Sequence, residues 1–155
     1  MIDITLTINK AEVYDEVAKT TSYTGAKMDS DGSAYERIFT TAEDQLMLER
    51  FWTEACDVVT EQLKAFLKDV SEPSTTSFDL ELELSSSFDE TLTGSINTSL
   101  FSFFVNAVVS KWYKFTNKGE AESYAAEATV MMGDVMRKIY YRKKPKRTKP
   151  SVLSE

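Results

Sequence analysis

The chain has 155 residues, enough for one domain with a sizeable core, and 42% of them are apolar, well above the content of a disordered chain. It has no histidine, one cysteine (Cys56) and five scattered glycines. That excludes histidine-based triads, histidine or cysteine-cluster metal sites, haem ligation, an internal disulfide and the glycine-rich nucleotide fingerprints. An enzyme on this chain would have to run on carboxylates, lysines or tyrosines.

Charge is divided unevenly. Eight of the 18 basic residues fall between Arg137 and Lys149, and of the 25 acidic residues only Glu155 lies beyond that point, so residues 1–136 carry 10 basic and 24 acidic groups, a net of −14. An acidic body therefore ends in a cationic strap, which suits an anionic partner: nucleic acid, or the acidic face of a protein, a second copy included.

Along the chain, Ile2, Ile4, Leu6 and Ile8 alternate with polar residues, which predicts a half-buried strand over 2–8. Asn9-Lys10-Ala11-Glu12 reads as a capping box opening a helix over 10–24, with Val13, Val17 and Thr21 on its inner side. Asp29-Ser30-Asp31-Gly32-Ser33, followed by Glu36, resembles a calcium loop in composition, but its glycine comes at the wrong position, so a surface turn is expected. A second box, Thr40-Thr41-Ala42-Glu43, opens a helix expected over 42–70. Its apolar face is Leu48, Trp52, Ala55, Val59, Leu63, Phe66 and Val70, a rod of about 40 Å closed by Pro73. Cys56 falls on its inner side and reads as a small apolar residue.

Phe78, Leu80, Leu82 and Leu84 alternate with Asp79, Glu81 and Glu83, a second strand over 78–85. A third helix over 90–115 is apolar almost all round between Leu100 and Val109, hence central; Ser102 and Asn106 interrupt that run, and no continuous apolar run of about 20 residues suggests a membrane span. The N-terminus lacks the basic start and apolar stretch of a signal peptide, and the lone cysteine fits a reducing cytoplasm. Asn117-Lys118-Gly119-Glu120 opens a last helix over 118–141, its buried stripe formed by Ala121, Tyr124/Ala125, Ala128, Met131/Met132, Val135 and Ile139. Trp52, Trp112 and the methionines Met131, Met132 and Met136 read as core.

The expected architecture is mainly α. A four-helix bundle-like core, two of its helices long and nearly antiparallel, occupies residues 1–142 with a small two-stranded β-ribbon, and residues 143–155 form an extended basic arm. Two strands alone are marginal, so they must pair on the helices and turn Asp3, Asp79, Glu81 and Glu83 outward together, a costly cluster unless a cation covers it. The candidate contact residues are therefore Tyr140, Tyr141, Arg142, Lys143, Lys144, Lys146, Arg147 and Lys149 on the strap, and Asp79, Glu81 and Glu83 as an acidic receptor for it. No catalytic residue, metal or cofactor is expected. DNA contact is confined to the tail, because the body would be repelled by phosphate.

Two stretches carry a resemblance: Leu100-Phe101-Ser102-Phe103-Phe104-Val105-Asn106-Ala107-Val108-Val109 with Lys111-Trp112-Tyr113-Lys114-Phe115-Thr116-Asn117, and Arg137-Lys138-Ile139-Tyr140-Tyr141-Arg142-Lys143-Lys144-Pro145. They resemble small structural proteins encoded in the morphogenesis clusters of tailed bacteriophages and prophages of gut bacteria. The resemblance covers about half of the chain and includes no catalytic motif. It implies a virion protein of the head–tail junction (connector, adaptor, ring subunit or tail-completion protein), assembled in the host cytoplasm and touching copies of itself and portal or tail proteins. The all-helical adaptors share long helices and an extended terminal arm; the two strands here depart from them. The competing readings are a small cytoplasmic nucleic-acid-associated or regulatory binding protein, and an enzyme that uses carboxylates.

Overall fold

The computed structural model describes residues 1–27, 39–70 and 76–146. In chain order these form β1 (Ile2–Asn9), α1 (Lys10–Lys27), α2 (Gln45–Leu63), β2 (Leu67–Val70), β3 (Ser77–Leu84), α3 (Thr93–Thr116) and α4 (Lys118–Ile139). Single 3-10 turns at Ala42–Asp44 and Glu90–Leu92 lead into α2 and α3. Among the described residues the protein is mainly helical, with four helices and a small antiparallel sheet of order β1-β3-β2. The calcium-like loop around Asp29 and the segment holding Pro73 lie outside the described residues.

The boundary signals act largely as the local chemistry requires. The Asn9 side chain accepts from the Glu12 N–H at 3.1 Å, starting α1 where β1 ends. At α2 the partner is displaced by one residue: the Asp44 carboxylate, rather than Glu43, accepts from the Thr41 N–H at 2.8 Å. Asn117 separates α3 from α4 but does not cap with its side chain, whose amide nitrogen is buried without a hydrogen-bond partner.

The ribbon has three strands, not two, and the rod expected over 42–70 stops at Leu63, making it about 28 Å long. The steps Leu63, Phe66 and Val70 continue the helical spacing, but β3 has an unpaired side. The Glu83 N–H donates to the Phe66 carbonyl at 2.8 Å, and Leu67–Val70 then completes the ladder. Satisfying a central strand on both sides outweighs a few more turns of helix.

The core lies between the inner face of the sheet and the helices. Ile4, Leu6, Ile8, Phe78, Leu80, Leu82 and Leu84 are buried against α3, where Phe78 meets Phe104 edge-on at 5.9 Å. Val13, Val17 and Thr21 of α1 and Leu48, Trp52, Ala55, Val59 and Leu63 of α2 are buried as their spacing predicts, as is Cys56. Helices α3 and α4 form an antiparallel hairpin: Tyr113 meets Tyr124 near the turn, and Lys138 Nζ donates to Ser95 Oγ and Ser99 Oγ, both at 2.8 Å, at the far end. Although no run of 20 apolar residues exists, the segment Glu90–Thr116 is long and apolar enough by composition to cross a membrane, with a mean hydropathy of 1.3 in its best window. Here its surface serves the sheet, α1, α2 and α4, which is the role of a central helix.

Candidate functional site

The carboxylates come together on the outer face of the sheet because β1 and β3 pair with their alternating patterns in phase. Asp3 stands opposite Glu83, Thr5 opposite Glu81 and Thr7 opposite Asp79. On the other side of β3, Asp69 stands opposite Glu81 after a register shift at Lys68. Lys68 is the extra residue of that bulge, and both Lys68 and Asp69 are exposed.

Lys68 reaches over β3 to Asp3, its Nζ 2.6 Å from Oδ2. The hydrogen bond and charge of Asp3, with Glu81 and Glu83 adding to them, raise the Lys68 ammonium above its ordinary range. The cation that a lone acidic cluster needs is therefore supplied in part by the chain itself. Sequence reasoning missed Lys68 and Asp69 because 67–70 reads as the end of a helix. The signal that would have found them is the short interval from Val70 to Ser77, which suits a direct connection between neighbouring strands.

The strap is anchored at its root. Tyr140 sits edge-on to Phe66 with ring centres 5.5 Å apart. Arg142 then forms a single antiparallel bridge with Phe88; the Lys143 N–H donates to the Ser87 carbonyl at 2.8 Å and the Asp89 N–H to the Tyr141 carbonyl at 3.3 Å. Phe88 is fully buried, so this bridge rests on the core. Beyond it Lys143, Lys144, Pro145 and Lys146 line one wall of an open cleft of about 710 Å³, with Asp89, Glu90 and Thr91 on the other. Residues 141–146 are all exposed. Arg147 and Lys149 lie outside the described residues.

The structure thus gathers the candidate residues into two groups. Asp79, Glu81 and Glu83 share the outer sheet face; Tyr140, Tyr141, Arg142, Lys143, Lys144 and Lys146 lie at the end of α4 beside the turn that follows β3. Among the described residues no ion pair joins Arg142, Lys143, Lys144 or Lys146 to those three carboxylates. Among the described residues, too, no group of three or more metal-ligating side chains converges. Cys56 is 1% exposed, and burial pushes its thiol up to about 12, which keeps it protonated and unreactive. No known protein family, curated protein or solved structure matches the chain.

Proposed function

We propose that this protein is a non-catalytic assembly subunit, a rigid helical body that docks onto other proteins, copies of itself included, through its basic C-terminal strap. The observation that carries this reading is the anchored root of the strap: the Phe88–Arg142 bridge fixes the start of an exposed cationic segment at one end of a body of opposite charge. An arm held at a fixed point, and an acidic face elsewhere on the same body, are the parts from which a repeating contact closes into a ring. The sequence resemblance supports a tailed-phage virion as the particle, and the role of a connector, adaptor or ring subunit at the head–tail junction beside portal or tail proteins. The absence of histidine and the burial of the one thiol favour binding over chemistry.

Deleting 144–155 tests the reading while leaving the Lys143–Ser87 hydrogen bond in place. The isolated body should unfold within about 1 kcal/mol of the full chain, because no buried residue among those described is lost, while incorporation into purified particles drops sharply. A truncated chain that incorporates normally sinks the proposal; one that unfolds far earlier shows the strap to be an internal clasp. A second reading, docking on nucleic acid, is favoured by the eight clustered cations. Neutralising the outer face (Asp79→Asn, Glu81→Gln and Glu83→Gln together) separates the two. It weakens docking on protein, whereas it leaves duplex binding unchanged or slightly improved and steeply salt-dependent. Tight binding to random duplex at about 0.15 M salt by the full chain alone would transfer the strap to the second reading.

A further inference from the structure

Among the described residues, helix α4 has a face left without a packing partner. Glu122, Ala126, Thr129, Val130, Gly133 and Arg137 follow one another at helical spacing and are all exposed, Val130 at 54%. Beside this face an open apolar groove of about 300 Å³ runs between α2 and α4, with Val58 on one wall, Met132 and Met136 on the other, and Phe103 of α3 lining it too. Gly133 also lines it, and a Cβ added there would meet nothing within 4 Å. Nothing among the described residues therefore requires glycine, the weakest helix former after proline, at a mid-helix position. A backbone approaching closely from outside would.

The charges along α4 say what approaches. Its first half holds Glu120, Glu122 and Glu127 after a leading Lys118, while its last turn holds Arg137 and Lys138, Arg137 also pairing with Asp134 of its own helix at 2.9 Å. A second α4 running antiparallel about an axis near Thr129 and Val130 brings Glu122 of each copy against Arg137 of the other. The same operation sets Ala126 against Gly133, and each Val130 beside the groove of its neighbour. A parallel approach would set like charges together. We propose that this face of α4 and its adjoining groove form a two-fold interface between two copies of the chain, an isologous contact distinct from the strap. Methionine walls suit it, because they repack around an incoming side chain. The paired stretch from residue 122 to 137 is only about 22 Å long, so the interface belongs to the small class and the dimer is a reversible one.

This proposal goes beyond the assembly role and does not use the strap, so its test keeps the two apart. Sedimentation of the full-length chain over a concentration series should show a reversible monomer–dimer equilibrium, and the chain truncated after Lys143 should show the same one. Gly133→Glu, whose side chain enters open space in the monomer, should leave the helical circular dichroism intact and abolish the dimer. Glu122→Arg and Arg137→Glu should each weaken it roughly tenfold, since two symmetry-related pairs turn from attraction to repulsion. Combining both reversals in one chain should restore it, an outcome that a merely structural role for either residue would not produce. A chain that stays monomeric throughout, a double reversal no better than either single one, or a Gly133→Glu chain that still dimerises would each overturn the proposal. Loss of the dimer on truncation would overturn it too, by assigning self-association to the strap.

Discussion

Phe78, Leu80, Leu82 and Leu84 on one side of β3 are 0–1% exposed, while Asp79, Glu81 and Glu83 on the other side reach solvent, although the two sets alternate along the same eight residues. The inner set is pressed between β1, β2 and the helices, so each side chain is held by neighbours that cannot move independently. The outer set faces the neighbouring strands, with Lys68 reaching across it and Ser77 Oγ donating to Asp79 at 3.3 Å. What the pair of faces teaches is a division of labour: the inner one carries the fold and tolerates little change, whereas the outer one contributes almost nothing to stability and is free to serve recognition.

The contrast breaks most sharply at Leu80. Leu80→Ala leaves a cavity at the centre of the middle strand and should cost about 2–5 kcal/mol in chemical unfolding. A cost below 1 kcal/mol would mean that the inner face is not close-packed. An intermediate effect belongs to Cys56, on the inner side of α2. Its thiol ionises freely in the unfolded chain but is pushed up to about 12 in the folded one. Stability should therefore fall as pH rises above the ordinary thiol range, by about 1.4 kcal/mol per pH unit. Cys56→Ala should lack that part of the slope, and the native thiol should resist alkylation at neutral pH until the protein unfolds. Wild type and variant falling in parallel would show that the thiol is not buried. The smallest effect is expected outside. Lys68→Met removes the ammonium that pairs with Asp3, yet exposed pairs are worth only about 0–1 kcal/mol each, so unfolding should move by less than that. The loss should shrink further in high salt; a salt-insensitive loss would mean that Lys68 acts by packing its stem.

The two edges of the sheet are protected by different means. The Thr7 N–H, which points away from β3, donates to Asn97 Oδ1 of α3 at 3.0 Å, so a helix side chain occupies part of the β1 edge. The β2 edge is short, bulged and charged at Lys68 and Asp69. Both devices discourage unplanned strand addition. Neither leaves a trace in the local pattern of the sequence, since Asn97 lies 90 residues from Thr7.

Much of this molecule was legible beforehand because local chemistry and tertiary demand agree. Strict alternation over Ile2–Ile8 and Phe78–Leu84 can be satisfied only by strands with one buried face. The Asn9 cap, the apolar steps of α1 and α4, and the all-round apolarity of α3 specify helices at their observed places. The same alternation put Asp79, Glu81 and Glu83 outside before any partner strand was known. The stretch 64–70 was misread because its apolar residues suit a helix and a short strand alike, and only the vacant side of β3 chooses between them. Lys68 was lost with it, and with Lys68 the internal cation of the acidic face.

By itself, then, the sequence determined most of the buried positions, the separation of an acidic body from a basic strap, and the lack of histidine, because these follow from periodicity and composition. Only the tertiary structure decided the third strand, the crossing of Lys68 to Asp3, the bridge of Arg142 to Phe88 and the unpartnered face of α4. Each of these depends on groups far apart in the chain meeting in space, and a pairing of that kind is settled by which hydrogen bonds and apolar surfaces remain unsatisfied once the local elements have formed.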